Sequence, residues 1–342
     1  MTAVFCENTA DRKAETWETQ LARFDRLEFV VSDAAKGIAK AVSTLARARR
    51  DNPEAPTLEH GLDVFHTTME AQRVLTRHWR STETAWEKAE AAEFEVARSK
   101  RQGIDARGAA RAAHTAWARA TAALERTERR EAAWGRAHAA LDLFRADGRL
   151  NDRGHAQTEI AEGLPDLSGP DWSRVRNFLN DPRSLSFLDR MHRRLELAES
   201  DPVWREAMAW RWWLRHRRMP CVEPRIGLVR AVGRARELSG RERASYDRVS
   251  AVLRDTFRAS SAVECMNSVL RMQQSRHRRM TQPMLDLKRL YWNCHRFRGG
   301  PRDRTCPYEA LSLALPTFDF WTLLQTDPKD LTQTLSTAGN AE

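Results

Sequence analysis

Two carboxylates far apart in the chain, Asp33 and Glu264, stand where acids can reach a metal ion instead of a core. Asp33 directly follows the β-rich run Leu27-Glu28-Phe29-Val30-Val31-Ser32 and precedes a helical stretch from Ala34 to Val42. That spacing puts it at the carboxyl end of a buried strand, the edge at which open α/β sheets place their ligands. Glu264 falls in the first turns of a helix read from Arg258 to Arg271, with Ser260 or Ser261 as its cap. Acids so placed can hold two divalent ions roughly 3.5–4 Å apart, the arrangement that activates a water or a 3′-hydroxyl for phosphoryl transfer on DNA. Magnesium suits an oxygen-only ligand set of this kind, and manganese does too. Each acid taken singly fits a structural role as well: Asp33 as a helix N-cap, Glu264 as the partner in a capping box.

If the two acids serve one site, the 231 residues between them must leave the sheet and return to it. Three zones and a tail carry that path. Residues 1–66 alternate strand and helix: a strand at Met1–Phe5, a helix from Ala14 to Phe24, the strand ending at Ser32, the helix from Ala34, and a short strand from Leu58 to Phe65. Residues 67–255 read as helical throughout, with a long antiparallel hairpin over 81–146 that turns near Gly103 to Gly108. Trp117, Leu124, Trp134 and Leu141 recur near one face of its second arm and are expected to be buried. Trp210, Trp212 and Trp213 are read as core. Residues 256–322 hold the Glu264 helix and a second helix from Met284 to Phe297; a polar tail follows over 323–342. The fold class is α/β, mostly α.

The chain of 342 residues has a formal net charge of +10 and a pI near 9.9, which favours a polyanionic partner. Arg271, Arg276, Arg278, Arg279, Lys288 and Arg289 lie close to Tyr291 and Trp292, a grouping suited to a phosphate backbone. Five scattered cysteines with no C-x-x-C pair argue against a disulfide framework and a zinc knuckle, and fit a reducing compartment. No stretch has the length and hydropathy of a membrane span, so a soluble cytoplasmic protein is expected. His66, beside an apolar run, fits a packing histidine.

The segment Val31-Ser32-Asp33-Ala34-Ala35-Lys36-Gly37 resembles the "VSDGAKG" stretch around the second Asp of bacterial DDE transposases. Ser260-Ser261-Ala262-Val263-Glu264-Cys265-Met266-Asn267-Ser268 is similar to their S-x-x-E-x-x-N helix. Asp63-Val64-Phe65-His66 matches a D-x-x-H element between those acids, and Cys306-Pro307-Tyr308-Glu309 resembles their "SPYE" ending. The resemblance implies an RNase H-like fold, a mixed five-stranded sheet with an all-helical insertion between its fifth strand and the Glu-bearing helix. It implies Asp33 and Glu264 as catalytic metal ligands for two magnesium or manganese ions, with Asp63, His66 and Asn267 in support. It also implies nicking and strand transfer at the ends of a mobile element, on element and target DNA, by a homo-oligomer associated with the nucleoid. The strands read here map to the family's third, fourth and fifth, and Glu7 and Asp11 fit a helix start better than a ligand position. The expectation is therefore an N-terminally truncated chain, lacking the first Asp and inactive as given. The alternatives are a non-catalytic DNA-binding remnant that represses or poisons the full-length enzyme, and a helical scaffold with a basic face. DNA binding by the Arg-rich patch should respond steeply to salt. Replacing Arg278, Arg279 and Arg289 together should make the slope of log affinity against log salt shallower by about 2–3; an unchanged slope in an anisotropy titration would exclude the patch.

Overall fold

The computed structural model describes residues 11, 13–33, 35–52, 55–216, 240–256, 258, 281–298, 303–311, 313, 315–331 and 333. The chain forms two compact units, one of residues 17–260 and one of residues 261–342 with 1–16. The expected strand at Met1–Phe5 lies outside the described residues.

Helix α1 (Ala14–Leu21), which belongs to the larger unit from Trp17 onward, runs into β1 (Phe29–Ser32), α2 (Lys36–Arg50) and β2 (Glu59–Leu62). The strands pair in parallel, Phe29 opposite Glu59 through Ser32 opposite Leu62, so β1-α2-β2 is a crossover unit. Val30, Val42 and Leu58 form a small core there, with Leu27, Ile38 and Leu45 packed around it. Arg47, Arg49 and Arg50 close the last turn of α2, where cations complement the helix dipole, and Arg49 also donates to the carbonyl of Phe24 at 2.9 Å. The strand expected over Leu58–Phe65 stops at Leu62, because Asp63 takes the N-cap of the next helix. Among the described residues the fold is mostly helical, with this two-stranded parallel sheet.

That helix, α3 (Val64–Arg101), begins well before the start expected at Ser81. It pairs with α4 (Arg107–Ala140) across a turn in which Gly103 has φ 70°. Along the outer half of the hairpin the seam is made of small residues: Thr82, Ala89 and Val96 face Ala113, Ala120 and Thr127, all buried. The Thr82 and Thr127 hydroxyls share a hydrogen bond of 2.9 Å inside it. Such a seam lets the backbones approach closely and leaves little room for large side chains. Accordingly only Trp134 and Leu141 of the expected face are buried. Leu124 is half-buried, and so is Trp117, which stands edge-on to Trp86 at 5.1 Å and donates its indole N–H to Glu93 at 3.2 Å.

The base of the hairpin is packed by α5 (Arg153–Gly163), a 3-10 turn at Pro170–Trp172, α6 (Ser173–Asn180), a second turn at Pro182–Leu185, α7 (Ser186–Ala198), α8 (Pro202–His216) and α9 (Gly240–Arg254). Leu62, Val74, Leu141, Trp172, Leu188, Met191, Leu195, Met208 and Val249 belong to one continuous core. Trp212 stacks on Phe144 at 5.7 Å, and Trp213 covers Gly148, whose φ of 85° suits glycine and whose missing Cβ would lie 2.7 Å from the indole. Trp210 is exposed, contrary to its reading as core: two residues are about 200° apart on a helix, so it faces away from Trp212. Buried Glu199, at the C-terminus of α7, accepts from Ser245 of α9 at 2.5 Å and pairs with Arg248 at 3.0 Å.

In the smaller unit lie α10 (Gln282–Cys294), α11 (Pro307–Ala310) and α12 (Phe320–Gln325). The Cys306-Pro307-Tyr308-Glu309 motif is a capping box: the Cys306 sulfur accepts from the Glu309 N–H and the Glu309 carboxylate accepts from the Cys306 N–H, each at 3.4 Å. Burial pushes the nearby Cys294 thiol up to about 11, so it stays protonated and unreactive. Helix α12 crosses the point where a polar tail was expected, and Leu323 is buried. Among the described residues, no helix is long and apolar enough to cross a membrane.

Asn151 holds the foot of the hairpin. Its buried amide donates to the carbonyls of Ala140 and Asp142, both at 2.9 Å, which α4 leaves unpaired at its end. Asn151→Ala should cost about 2 kcal/mol in urea unfolding, the cost of stranding buried acceptors. A loss under about 0.5 kcal/mol would show that water replaces the amide.

Candidate active site at the carboxyl edge of the sheet

Asp33 follows Ser32 and Asp63 follows Leu62, and those two residues are register partners. The Asp63 N–H donates to the Ser32 carbonyl at 2.9 Å, so both acids stand at the same carboxyl edge of the parallel pair. Their environments differ sharply. Asp33 is exposed, and among the described residues its carboxylate makes no hydrogen bond or ion pair. Nor does it cap α2: Ala35 holds that position without a side-chain bond. Asp63 is 2% exposed. Its carboxylate accepts from the Phe65 N–H at 2.9 Å, capping α3, and from Nδ1 of His66 at 2.9 Å. The His66 ring is thereby held at the first turn of α3. The family resemblance implies a supporting role for Asp63 and His66; in the structure Asp63 lies at the same edge as Asp33.

The chain comes back to this edge at Arg258. The Val64 N–H, next to Asp63, donates to the Arg258 carbonyl at 3.0 Å. The Arg258 guanidinium bonds to the Leu141 carbonyl at 2.6 Å and pairs with Asp142, which pins the returning segment to the foot of the hairpin.

Behind the edge runs a polar row that sequence analysis missed. His60 Nε2 lies 2.8 Å from the Ser32 hydroxyl, and Nδ1 lies 3.2 Å from Nη1 of Arg183, whose Nη2 is held by Asp181 at 2.6 Å. A guanidinium can only donate, so Nδ1 accepts and the ring proton sits on Nε2, which donates to Ser32. Ser32 is therefore not activated by a base, and the row is no nucleophilic triad. Burial, and then the Arg183 charge, push the imidazole down to about 4, against the pull of Asp181. The hydrogen bond from Arg183 holds the Asp181 carboxyl below its usual range. The row joins the sheet to α7, aided by Ser186, whose hydroxyl donates to the His60 carbonyl at 3.2 Å, and by Arg190, which pairs with Glu28 at 2.6 Å. No sequence signal links His60 to Arg183, because a strand and a 3-10 turn meet there only through the fold.

Glu264, Asn267, Arg271, Arg276, Arg278 and Arg279 lie outside the described residues. Lys288 and Arg289 are half-buried on α10, and Arg289 pairs with Asp286 one turn back at 3.3 Å. Among the described residues, no group of three or more His, Cys, Asp or Glu side chains gathers as a metal ion would need. Compared with protein-family profiles, curated proteins and solved structures, the chain has no match in any of the three.

The His60 row predicts a pH dependence. Folding lowers this imidazole from 6.5 to about 4, so between those values the unfolded chain takes up a proton that the folded chain refuses. Stability is full above pH 6.5 and falls as pH drops towards 4, by roughly 1–2 kcal/mol after allowing for partial exposure. His60→Gln should lose less across the same window in urea titrations; parallel losses would clear His60.

Proposed function

We propose that this chain is a DDE-type transposase chain with an RNase H-like core, in which Asp33 and Glu264 are two of the metal-binding acids. The observation that carries the reading is the return of the chain at Arg258. Its carbonyl is bonded beside Asp63 at the edge where Asp33 stands free, and Glu264 follows six residues later. Six residues span about 9 Å as helix and about 20 Å when extended, so the chain length between Arg258 and Glu264 is short. The helical insertion, the crossover between parallel strands and the motif at each acid support the same reading.

The residues fit a metal unequally. Asp33 is an exposed oxygen ligand of the kind magnesium and manganese take. Asp63 does not fit as placed, because its carboxylate is buried against the Phe65 N–H and His66. Bound ions would supply activation of a water or a 3′-hydroxyl and relief of charge on the leaving oxygen. The chain's own part is positional. Strand β1 fixes Asp33, Asp63 fixes the start of α3 and the His66 ring, and Arg258 is itself bonded beside Asp63. DNA is the substrate, as the net charge of +10 favours.

Iron(II) in place of magnesium, with ascorbate, generates radicals that cut backbone near the metal. Cuts are expected near both residue 33 and residue 264, and Asp33→Ala should reduce the cut at 264 at least tenfold. A cut at one position alone, or a cut at 264 that ignores Asp33→Ala, would show that the two acids do not share an ion.

A further inference from the structure

The hairpin of α3 and α4 carries its charge unevenly. Residues 83–95 of α3 hold five glutamates and one lysine. From Arg98 through the turn to Leu124 the sign reverses: Arg98, Lys100, Arg101, Arg107, Arg111 and Arg119 against the single acid Asp105. These cations are exposed, and the two that have acidic partners hold them loosely. Arg98 meets Glu95 at 3.4 Å and Arg107 meets Asp105 at 3.9 Å, exposed pairs worth little in water. Lys100, Arg101, Arg111 and Arg119 make no ion pair among the described residues. The apex adds an apolar point: Ile104 is 60% exposed, and Phe94, equally exposed, lies under the Arg101 guanidinium at 5.8 Å.

Among the described residues, the tip stands away from the rest of its unit. Helix α5 meets α4 at Ala133 and Arg136, while the turn and helix after Gly169 meet α3 at His78 and Glu70. From Thr82 outward the two arms bury their seam against each other, and the turn lies about 30 Å further along. A rigid arm that ends in a patch of unneutralised cations, behind a band of acids, is built to touch a polyanion with its end and not with its side.

We infer that the hairpin tip, through Lys100, Arg101, Arg107 and Arg111, docks on the phosphate backbone of duplex DNA, as a contact separate from the catalytic edge. This rests on the DNA-binding reading above and assigns that substrate a second, remote point of attachment. The contact neutralises phosphates and orients the duplex without reading bases. The glutamates of α3 repel a duplex lying along that arm, which restricts the contact to the tip.

The test uses the full chain and a labelled 40-base-pair duplex, with anisotropy titrations across a salt series. The fourfold variant K100Q/R101Q/R107Q/R111Q changes only exposed helix and turn positions, and circular dichroism should show its helix content and melting temperature unchanged. Its slope of log affinity against log salt should be shallower than that of the parent chain by about 3–4, one counterion for each lost phosphate contact. Affinity at 100 mM salt should fall at least tenfold, about 1.4 kcal/mol. A parent chain that binds duplex with a slope these substitutions leave unchanged would overturn the tip contact and spare the transposase reading. A parent chain that ignores duplex altogether would overturn both. Binding to phosphatidylserine vesicles that the same substitutions abolish, with the DNA slope unaltered, would reassign the tip to an anionic lipid surface.

Discussion

One buried carboxylate joins the parts of this molecule. Asp63 ends β2, caps a helix of 38 residues, bonds through its backbone to the carbonyl of Ser32, and holds the His66 ring. A carboxylate buried this deeply persists only if hydrogen-bond donors surround it, and the first turn of α3 supplies them. The cap also sets where strand stops and helix starts, and so the direction in which the long hairpin leaves the sheet. With β2 ending there, the parallel register fixes the end of β1, and Asp33 is left with its carboxylate unspent at the same edge.

The two halves of the hairpin follow different physics. At the foot, Trp134, Leu141, Trp172 and Leu188 bury large surfaces in a core shared with five or more other elements. Further out, three alanines, two threonines and Val96 form the seam, and each contributes only a small side chain. There the arms depend on the high helix propensity of alanine and on close backbone packing. Such a seam gives reach and stiffness at small cost in residues, and it leaves the outer surfaces free to carry charge. The acidic band and the basic tip are possible because no other described element has to pack over them.

The edge that carries Asp33 and Asp63 is held in place for a different reason. Polar side chains lock the sheet to α7: His60 takes a hydrogen bond from Arg183 and gives one to Ser32, while Arg190 lies over the Phe29 ring at 5.1 Å and pairs with Glu28. These contacts hold two short strands that could not stand alone. They leave Asp33 out of the network.

The sequence by itself determined the local features. A β-branched run ending at Asp33 and an alanine-rich pair of helices with a glycine at the turn each follow from neighbouring side chains, and each was legible. The placement of Asp33 at the end of a parallel strand was legible for the same reason. What only the tertiary structure decided concerns partners distant in the chain. The sequence pattern put Asp63 inside a strand over Leu58–Phe65, and its burial against the first turn of α3 made it a cap instead. Trp117 and Leu124 had the spacing of a buried face, but the alanine seam drew the helices too close to take them in. His60 acquired its low affinity for protons from Arg183, and Arg258 came to rest beside Val64, across separations that no local pattern encodes. Helix and strand are set by nearest neighbours in the chain, whereas burial and charge environment are set by neighbours in space, and a short motif carries information only about the first.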